Sequence, residues 1–262
     1  MCSMHSQGGA NSTAASPDRI GPVKLAVAGL AGGLATWAVV ATWHPFYFSG
    51  LSFAPGVAPS QEQLAILNRQ TWINTLSVFA LFGASLSAAL GIAAALHRRS
   101  MRTAAIGVPL GAVWGGAAGA LGGWCGQRLS DPSFVELVDR SRPEAELATA
   151  LIVHATCWGV IGLAVGLGFA LAARSGRDWL HASLGAALGG ILAAPCYQVV
   201  VLLVCLISPM GGTDTLIPEG NESRLFWFAT AAVAIAVGAG GLSRRKEKPV
   251  APASAPQPAN PS

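Results

Sequence analysis

Charged side chains are scarce in this sequence. Its 262 residues include only 16 Lys and Arg and 12 Asp and Glu residues, which together make up 11% of the chain. A soluble domain carries roughly 25% charged residues, because its surface faces water. The hydrophobic fraction here is 52%. The shortage of charge therefore argues against an ordinary soluble domain and favours a chain that faces lipid.

Motifs of the common enzyme classes are missing as well. The sequence contains no GxSxG, no HExxH, no Walker loop and no paired carboxylates within an apolar run. Its five cysteines form no CxxC pair. We therefore predict that the protein is not an enzyme and that it holds no cofactor. Cys125 and Cys205 fall near the same ends of their predicted helices, where a disulfide is conceivable, but unpaired thiols are the preferred interpretation.

Six segments lack Asp, Glu, Lys and Arg over lengths that span a bilayer. A helix rises about 1.5 Å per residue and the hydrocarbon core is about 30 Å thick, so a span needs about 20 apolar residues. Backbone polar groups in lipid must be satisfied within their own segment, which predicts helices. We predict an all-α integral membrane protein with six transmembrane helices, at residues 25–43, 72–96, 103–125, 148–173, 179–207 and 225–243.

The distribution of charge predicts the orientation. The two termini and the connections at 97–102 and 174–178 hold 11 of the 16 basic residues but only 3 of the 12 acidic residues. Loops rich in Lys and Arg stay cytoplasmic. We therefore predict a cell-membrane protein, in a plasma or bacterial inner membrane, with both termini in the cytoplasm. The basic excess is explained by orientation, and no nucleic acid is expected as a partner.

An internal repeat groups the six predicted helices into three pairs. A GxxxG pair begins the first, third and fifth helices at a constant interval of 78 residues. The second helix of each pair contains a glycine before its basic end. We predict three parallel two-helix repeats at about 24–99, 102–177 and 180–245, within a membrane domain at 22–246. The flanking segments 1–21 and 247–262 are predicted to be disordered.

Small residues on these helices are predicted to let neighbouring backbones approach closely. Burial of apolar surface contributes little free energy to helix association in lipid, because lipid is itself apolar. Close van der Waals contact between the helix backbones therefore contributes more. Three readings remain open: packing within the bundle, which we favour, a lining for a narrow path, or a seam between copies of the chain. The residues concerned are Gly29, Gly33, Gly107, Gly111, Gly115, Gly185 and Gly189.

Few polar groups lie inside the predicted spans, and such groups are often functional. His154 and Cys157 lie three residues apart on the fourth helix and are weak candidates for two metal ligands. The alternative, which we prefer, is a histidine hydrogen-bonded to a neighbouring helix. Asn74 and Gln198 are further candidates for a polar or transport site.

Acidic residues precede the second helix of each repeat, at Glu62, Glu144 and Glu219. A ring of carboxylates attracts cations to a pore mouth, but acids at helix N-termini also favour the helix dipole without further function. Ser60 with Gln63, and Ser141 with Glu144, fit capping boxes. Trp residues at 43, 72, 124 and 227 lie near span ends and predict a belt of interfacial aromatics.

Three functions are consistent with these features. The first, which we favour, is a structural or accessory membrane component whose partners are the lipid bilayer and other membrane proteins or a second copy of itself. The second is a small transporter or channel with a path along the pseudo-threefold axis, which a close-packed apolar axis would contradict. The third is a metal or redox protein that uses His154 and Cys157.

Overall fold

The computed structural model describes residues 20–47, 59–130, 143–172, 179–205, 216–218 and 220–241. These residues form six α-helices and no β-strand. In chain order the helices are α1 (Pro22–Trp43), α2 (Gln61–Arg98), α3 (Met101–Leu129), α4 (Pro143–Ala172), α5 (Trp179–Cys205) and α6 (Asn221–Gly241). All six are long and apolar enough to cross a membrane, judged by length and composition. The predicted all-α class is confirmed, and each predicted span corresponds to one helix.

The largest difference from the predicted spans is at the start of α2. This helix has 38 residues and begins at Gln61, well before the predicted start at residue 72. The predicted capping box sets that start: Gln63 N–H donates to Ser60 Oγ (3.2 Å) and Ser60 N–H donates to Gln63 Oε1 (2.8 Å). Glu62 and Arg69 interrupt the apolar run, but both side chains are exposed and the helix continues through them. Ser141 of the second predicted box, and the predicted tails apart from residues 20 and 21, lie outside the described residues.

The helices pack in chain order as a closed ring. Each described helix contacts the next one along the chain, and α6 closes the ring against α1. Neighbours run antiparallel, since Gly29 of α1 faces Ala232 of α6 while Gly33 faces Phe228. We call the end at which α1, α3 and α5 end, and α2, α4 and α6 begin, the distal end. The charge distribution predicts that this end faces away from the cytoplasm.

Helices α2, α4 and α6 occupy the middle of the ring. α4 contacts both α2 and α6 across it, and α2 makes a smaller contact with α6. Burial follows this arrangement: 56% of the most apolar stretch of α2 is buried, against 11% for α3. The outer faces of α3 and α5 carry apolar side chains, as expected where lipid replaces water. Among the most exposed of these are Ile106, Leu110, Val113, Leu192 and Leu202.

A tight turn joins α2 to α3. Arg99 adopts the left-handed backbone conformation, with φ of 51°, directly after the helix. Its N–H donates to the carbonyl of Leu96 (3.2 Å), and the N–H of Ser100 donates to the carbonyl of Ala95 (3.1 Å). These bonds satisfy carbonyls in the last turn of α2, so α3 begins at Met101 with no further linker. α2 and α3 therefore pack side by side along their length.

Several glycines lie where a neighbouring backbone leaves no room for a side chain. A Cβ at Gly115 would overlap the Gly83 carbonyl oxygen of α2, and a Cβ at Gly119 would overlap that of Phe79. At Gly29 a Cβ would lie 2.6 Å from the Ala232 carbonyl oxygen of α6. At Gly33 it would lie 2.9 Å from the Phe228 carbonyl oxygen. Close backbone contact of this kind holds α2 to α3 and α1 to α6.

The three predicted GxxxG pairs do not pack in equivalent ways. Gly107 and Gly111 depart from the expected close contact, since a Cβ would be 3.8 Å and 3.6 Å from its nearest neighbours. Gly189 is tight against Ala234 of α6, and the Gly185 carbonyl lies against Gly238 of the same helix. The first and third pairs therefore contact α6, while the second pair has loose neighbours. Equal spacing along the chain does not produce equal packing, so the repeat stays a prediction.

Candidate functional site

Aromatic rings fill the centre of the bundle. Neighbouring ring centroids lie 4.8 to 6.1 Å apart, and most pairs meet edge to face. No ring is more than 1% exposed. α2, α4, α5 and α6 each contribute at least one ring. We call this group the aromatic cluster; it comprises Phe79, Phe82, His154, Trp158, Tyr197, Trp227 and Phe228.

His154 belongs to this cluster. Its imidazole stacks on Trp158 of the next turn of α4, with centroids 5.2 Å apart and ring planes at 20°. The rings of Tyr197 (5.9 Å) and Trp227 (6.1 Å) approach it edge to face. Three helices therefore enclose the histidine that the sequence singled out, and its surroundings are aromatic.

Cys157 lies against a different neighbour from His154. Its Sγ contacts Gly126 of α3, where a Cβ would overlap the sulfur. The thiols of Cys157 and Cys125 are both free. Within the described residues, no three His, Cys, Asp or Glu side chains come close enough together to hold a metal ion. The described residues thus offer no third ligand beside His154 and Cys157, and the geometry gives the metal hypothesis no support.

Trp227 is placed differently from the sequence prediction. The pattern of span ends assigned it to the interfacial belt, but its side chain is fully buried in the aromatic cluster. α6 begins at Asn221, so Trp227 is already in its second turn and faces Phe79 (5.3 Å) and Trp158 (5.3 Å). Trp43 and Trp124, by contrast, are exposed, as a belt requires.

An open cavity lined by both polar and apolar side chains lies at the distal end. Its volume is about 380 Å³. Thr75 in its wall lies one turn before Phe79, and Arg224 lies almost one turn before Trp227, so the aromatic cluster begins about one turn further along α2 and α6. We call this cavity the distal vestibule; its lining residues are His44, Pro45, Gln70, Thr71, Asn74, Thr75, Gln127, Leu216, Ile217 and Arg224.

Asn74 fixes the chain that follows α1 to the wall of the vestibule. Its Nδ2 donates to the Tyr47 carbonyl oxygen (2.9 Å), and its Oδ1 accepts from the Tyr47 N–H (2.8 Å). The side-chain amide thereby pairs with both backbone groups of one residue. Asn74 itself is buried. The two bonds to Tyr47 fit a structural role for Asn74, and its place in the vestibule wall also fits contact with a ligand.

Substitution of Asn74 by alanine is expected to destabilise the distal end by about 1–3 kcal/mol, because both backbone groups of Tyr47 lose their partner. Asn68, an exposed residue two turns earlier on α2, provides the matched control. Amide hydrogen exchange at Tyr47 should accelerate in Asn74→Ala and stay unchanged in Asn68→Ala. Equal exchange in the two variants would contradict the proposed clamp.

One positive charge is held in the vestibule wall. Arg224 Nε donates to the Pro218 carbonyl oxygen (2.6 Å), which anchors the guanidinium near the start of α6. Burial, and to a lesser degree the charge of Arg224, lower the pKa of His44 below its usual 6.5. His44 is therefore neutral at pH 7. Among the described lining residues, Arg224 is the side chain that carries a full positive charge.

The other predicted site residues lie apart from these two features. Gln198 is partly buried on α5, and Glu62 is exposed in the first turn of α2. The side chains of Glu144 and Glu219 lie outside the described residues, so the predicted carboxylate ring stays a prediction. The structure thus brings Asn74 to the vestibule and His154 to the aromatic cluster, and it brings neither Gln198 nor Glu62 to them.

Sequence reasoning missed most of the vestibule. Gln127 and Arg224 lie at helix ends, and Gln70 lies before the predicted start of the second span, where polar residues are ordinarily read as solvent-exposed. One signal was available in α2. Gln70, Thr71, Asn74 and Thr75 repeat a polar pair at an interval of four residues, which places both pairs on one helix face.

The six long apolar helices that the structure describes are those of a multi-pass α-helical membrane protein. Comparison with known protein families, with characterised proteins and with solved structures finds no match.

Proposed function

We propose that this protein is a structural or accessory component of a cell membrane, which packs against other membrane proteins and performs no chemistry of its own. The observation that carries the proposal is the filled centre of the bundle. Phe79, Trp158 and Trp227 are fully buried at the point where α2, α4 and α6 meet. A transport path needs polar groups or water at this depth. Close-packed rings favour a rigid, non-conducting body.

The outer surface supports the same proposal. Glycine contacts lock the ring of helices together, which leaves the apolar faces of α3 and α5 pointing outward. Trp114 of α3 is 50% exposed in the middle of its helix, away from the belt positions where tryptophan is usual. Lipid or an apolar face of another membrane protein covers such a surface equally well. A second copy of this chain is the simplest such partner.

The proposal also includes the orientation of the chain in the membrane and the origin of its helices. The first is the orientation, with both termini cytoplasmic, which rests on the charge distribution. The second is the origin from three parallel two-helix repeats. The alternation of outer helices (α1, α3, α5) with inner helices (α2, α4, α6) supports a pseudo-threefold arrangement, although the glycine contacts differ between the three pairs.

The accessory function is tested by extraction of the protein from its native membrane in a mild detergent, followed by native mass spectrometry. We expect the chain to be recovered in a stoichiometric complex with a second membrane protein or with itself. The complex should persist at tenfold dilution. Recovery as a lone monomer under both conditions would contradict the proposal.

Transport is the alternative that one specific observation favours. The distal vestibule is an opening lined in part by polar side chains, about one turn along α2 and α6 from the aromatic cluster, as in a pore that is closed by a hydrophobic gate. This function requires the cluster to rearrange. Protein-dependent solute flux in vesicles would support it.

A further inference from the structure

One arginine and two tryptophans meet at the distal end of α2 and α3. The guanidinium carbon of Arg128 lies 5.4 Å from the ring centroid of Trp72 and 5.6 Å from that of Trp124. Trp124 lies one turn before Arg128 on α3, and Trp72 lies on α2, so both helices contribute. We call this group the arginine–tryptophan cluster. We propose that it binds the phosphate group of a membrane phospholipid, with Arg128 as the charged anchor. This proposal goes beyond the accessory function, which requires no particular lipid.

The level of the cluster along the helices matches that of lipid headgroups. The apolar stretch of α2 begins at Trp72, and that of α3 ends at Cys125, directly after Trp124. Tryptophan is enriched at this level of a membrane, and an arginine near the end of a span extends its charged group towards the headgroups. The proposed ligand is therefore present at the level of Arg128 in any phospholipid bilayer that the chain crosses.

The two rings hold the guanidinium in a defined place. A guanidinium that packs over aromatic rings keeps its N–H donors at its edge, in the plane of the group. The side chain of Arg128 is exposed, and the ring contacts are the interactions that the structure describes for it. Phosphate oxygens match the edge of the group with two parallel hydrogen bonds. Because the rings restrict the side chain before a lipid binds, less conformational entropy is lost on binding.

An open cavity beside the cluster offers room for a headgroup. Its volume is about 460 Å³, and Trp72 belongs both to its wall and to the cluster. The side-chain amides of Gln61, Asn68 and Gln127 line it, and Gln127 directly precedes Arg128. Neutral amides both donate hydrogen bonds to hydroxyl groups and accept them. Phosphatidylglycerol combines a phosphate with a hydroxylated headgroup, and it is therefore the probe that suits this site.

Native mass spectrometry of the purified, delipidated full chain, titrated with phosphatidylglycerol, tests the proposal. We expect saturable binding, and much weaker binding of diacylglycerol with the same acyl chains, because diacylglycerol lacks the phosphate. Arg128→Gln should raise the Kd at least about tenfold, since a charge-assisted pair is lost. Arg69→Gln is the matched control, because Arg69 is exposed at the distal end of α2 and lies outside the cluster. Its Kd should stay at the wild-type value.

Trp124→Leu tests the contribution of a ring separately from that of the charge. Trp124 is 45% exposed, so its replacement should leave the packing of α3 intact. Arg128 keeps its charge in this variant but loses one of its two cation–π contacts. We expect the Kd to rise by about two- to fivefold, less than in Arg128→Gln. A Kd equal to that of the wild type would contradict the positioning of the guanidinium by the rings.

Three further results would overturn the proposal. The first is an equal Kd for Arg128→Gln and Arg69→Gln, and the second is binding of diacylglycerol as tight as that of phosphatidylglycerol. If inorganic phosphate displaced the lipid at a similar concentration, the site would be one for free anions. Asp131, three residues after Arg128, lies outside the described residues. Asp131→Asn should leave the Kd unchanged, and a Kd lowered about tenfold would show that this carboxylate is the partner of Arg128 and that the lipid assignment is wrong.

Discussion

Replacement of Gly119 by alanine should destabilise the bundle by about 3 kcal/mol. The new Cβ would overlap the Phe79 carbonyl oxygen and lie 2.7 Å from its carbonyl carbon and 3.0 Å from the Cα of Ala80. All three atoms belong to the backbone of α2, so no side-chain rotation relieves the overlap and the two helices must separate. Overpacking of a core costs about 1–3 kcal/mol, and a backbone contact belongs at the upper end of that range. Unfolding in mixed micelles with increasing SDS measures the effect.

Gly107 on the same helix provides the control. The nearest atom to a Cβ there is the Cβ of Ala172, at 3.8 Å, which is an ordinary contact. Gly107→Ala should therefore leave stability unchanged or raise it by up to about 1 kcal/mol, because alanine is the better helix former. Similar effects at the two positions would show that small-residue spacing alone governs this helix, and would contradict the packing described above.

Replacement of Trp227 by alanine should have a similarly large effect, of about 3 kcal/mol. The indole contacts five other rings, and its removal leaves a cavity between α2, α4 and α6. This value is the lower end of the range for truncation of large aromatic side chains in soluble cores. The lower end applies because the separated helices are already solvated by lipid, so that the loss consists of packing contacts. Trp114→Ala, at a lipid-facing position, should cost far less.

Trp227→Phe keeps an aromatic ring at this position but removes the indole N–H, so it tests the contribution of the N–H by itself. Neither the Trp227 indole N–H nor that of Trp158 has a hydrogen-bond partner within the described part of the chain. A buried donor without a partner costs about 1–3 kcal/mol, so phenylalanine should be tolerated at this position. A loss as large as that of Trp227→Ala would mean that the N–H has a partner, such as a buried water.

The helices were predictable because a backbone that crosses lipid must satisfy its own polar groups, which leaves few alternatives to an α-helix. Apolar runs, basic residues at one set of ends and the capping box at Ser60 each indicated a helix or its boundary. The start of α2 was missed for a physical reason: Glu62 and Arg69 end the apolar run, but a capped helix extends beyond the lipid into water. Length and hydropathy detect the spanning part of a helix and not its polar extension.

The arrangement of the helices was harder to predict. Small residues are equally suited to close contact and to loose packing, so Gly107 and Gly119 look alike along the chain although their neighbours differ. Trp227 was assigned to the interface because tryptophan is common there, and only the start of α6 at Asn221 reveals that it faces inward. The vestibule brings together residues from four segments, and its members share no local pattern outside α2.

Solute flux in vesicles tests the closed centre of the bundle most directly. The purified full chain is reconstituted into vesicles, and the efflux of potassium and of chloride is compared with that of vesicles without protein. The filled aromatic cluster predicts that each solute leaves vesicles with the protein no faster than it leaves vesicles without it. Saturable efflux that depends on the protein and changes in Trp227→Ala would contradict a closed centre and favour the transport function.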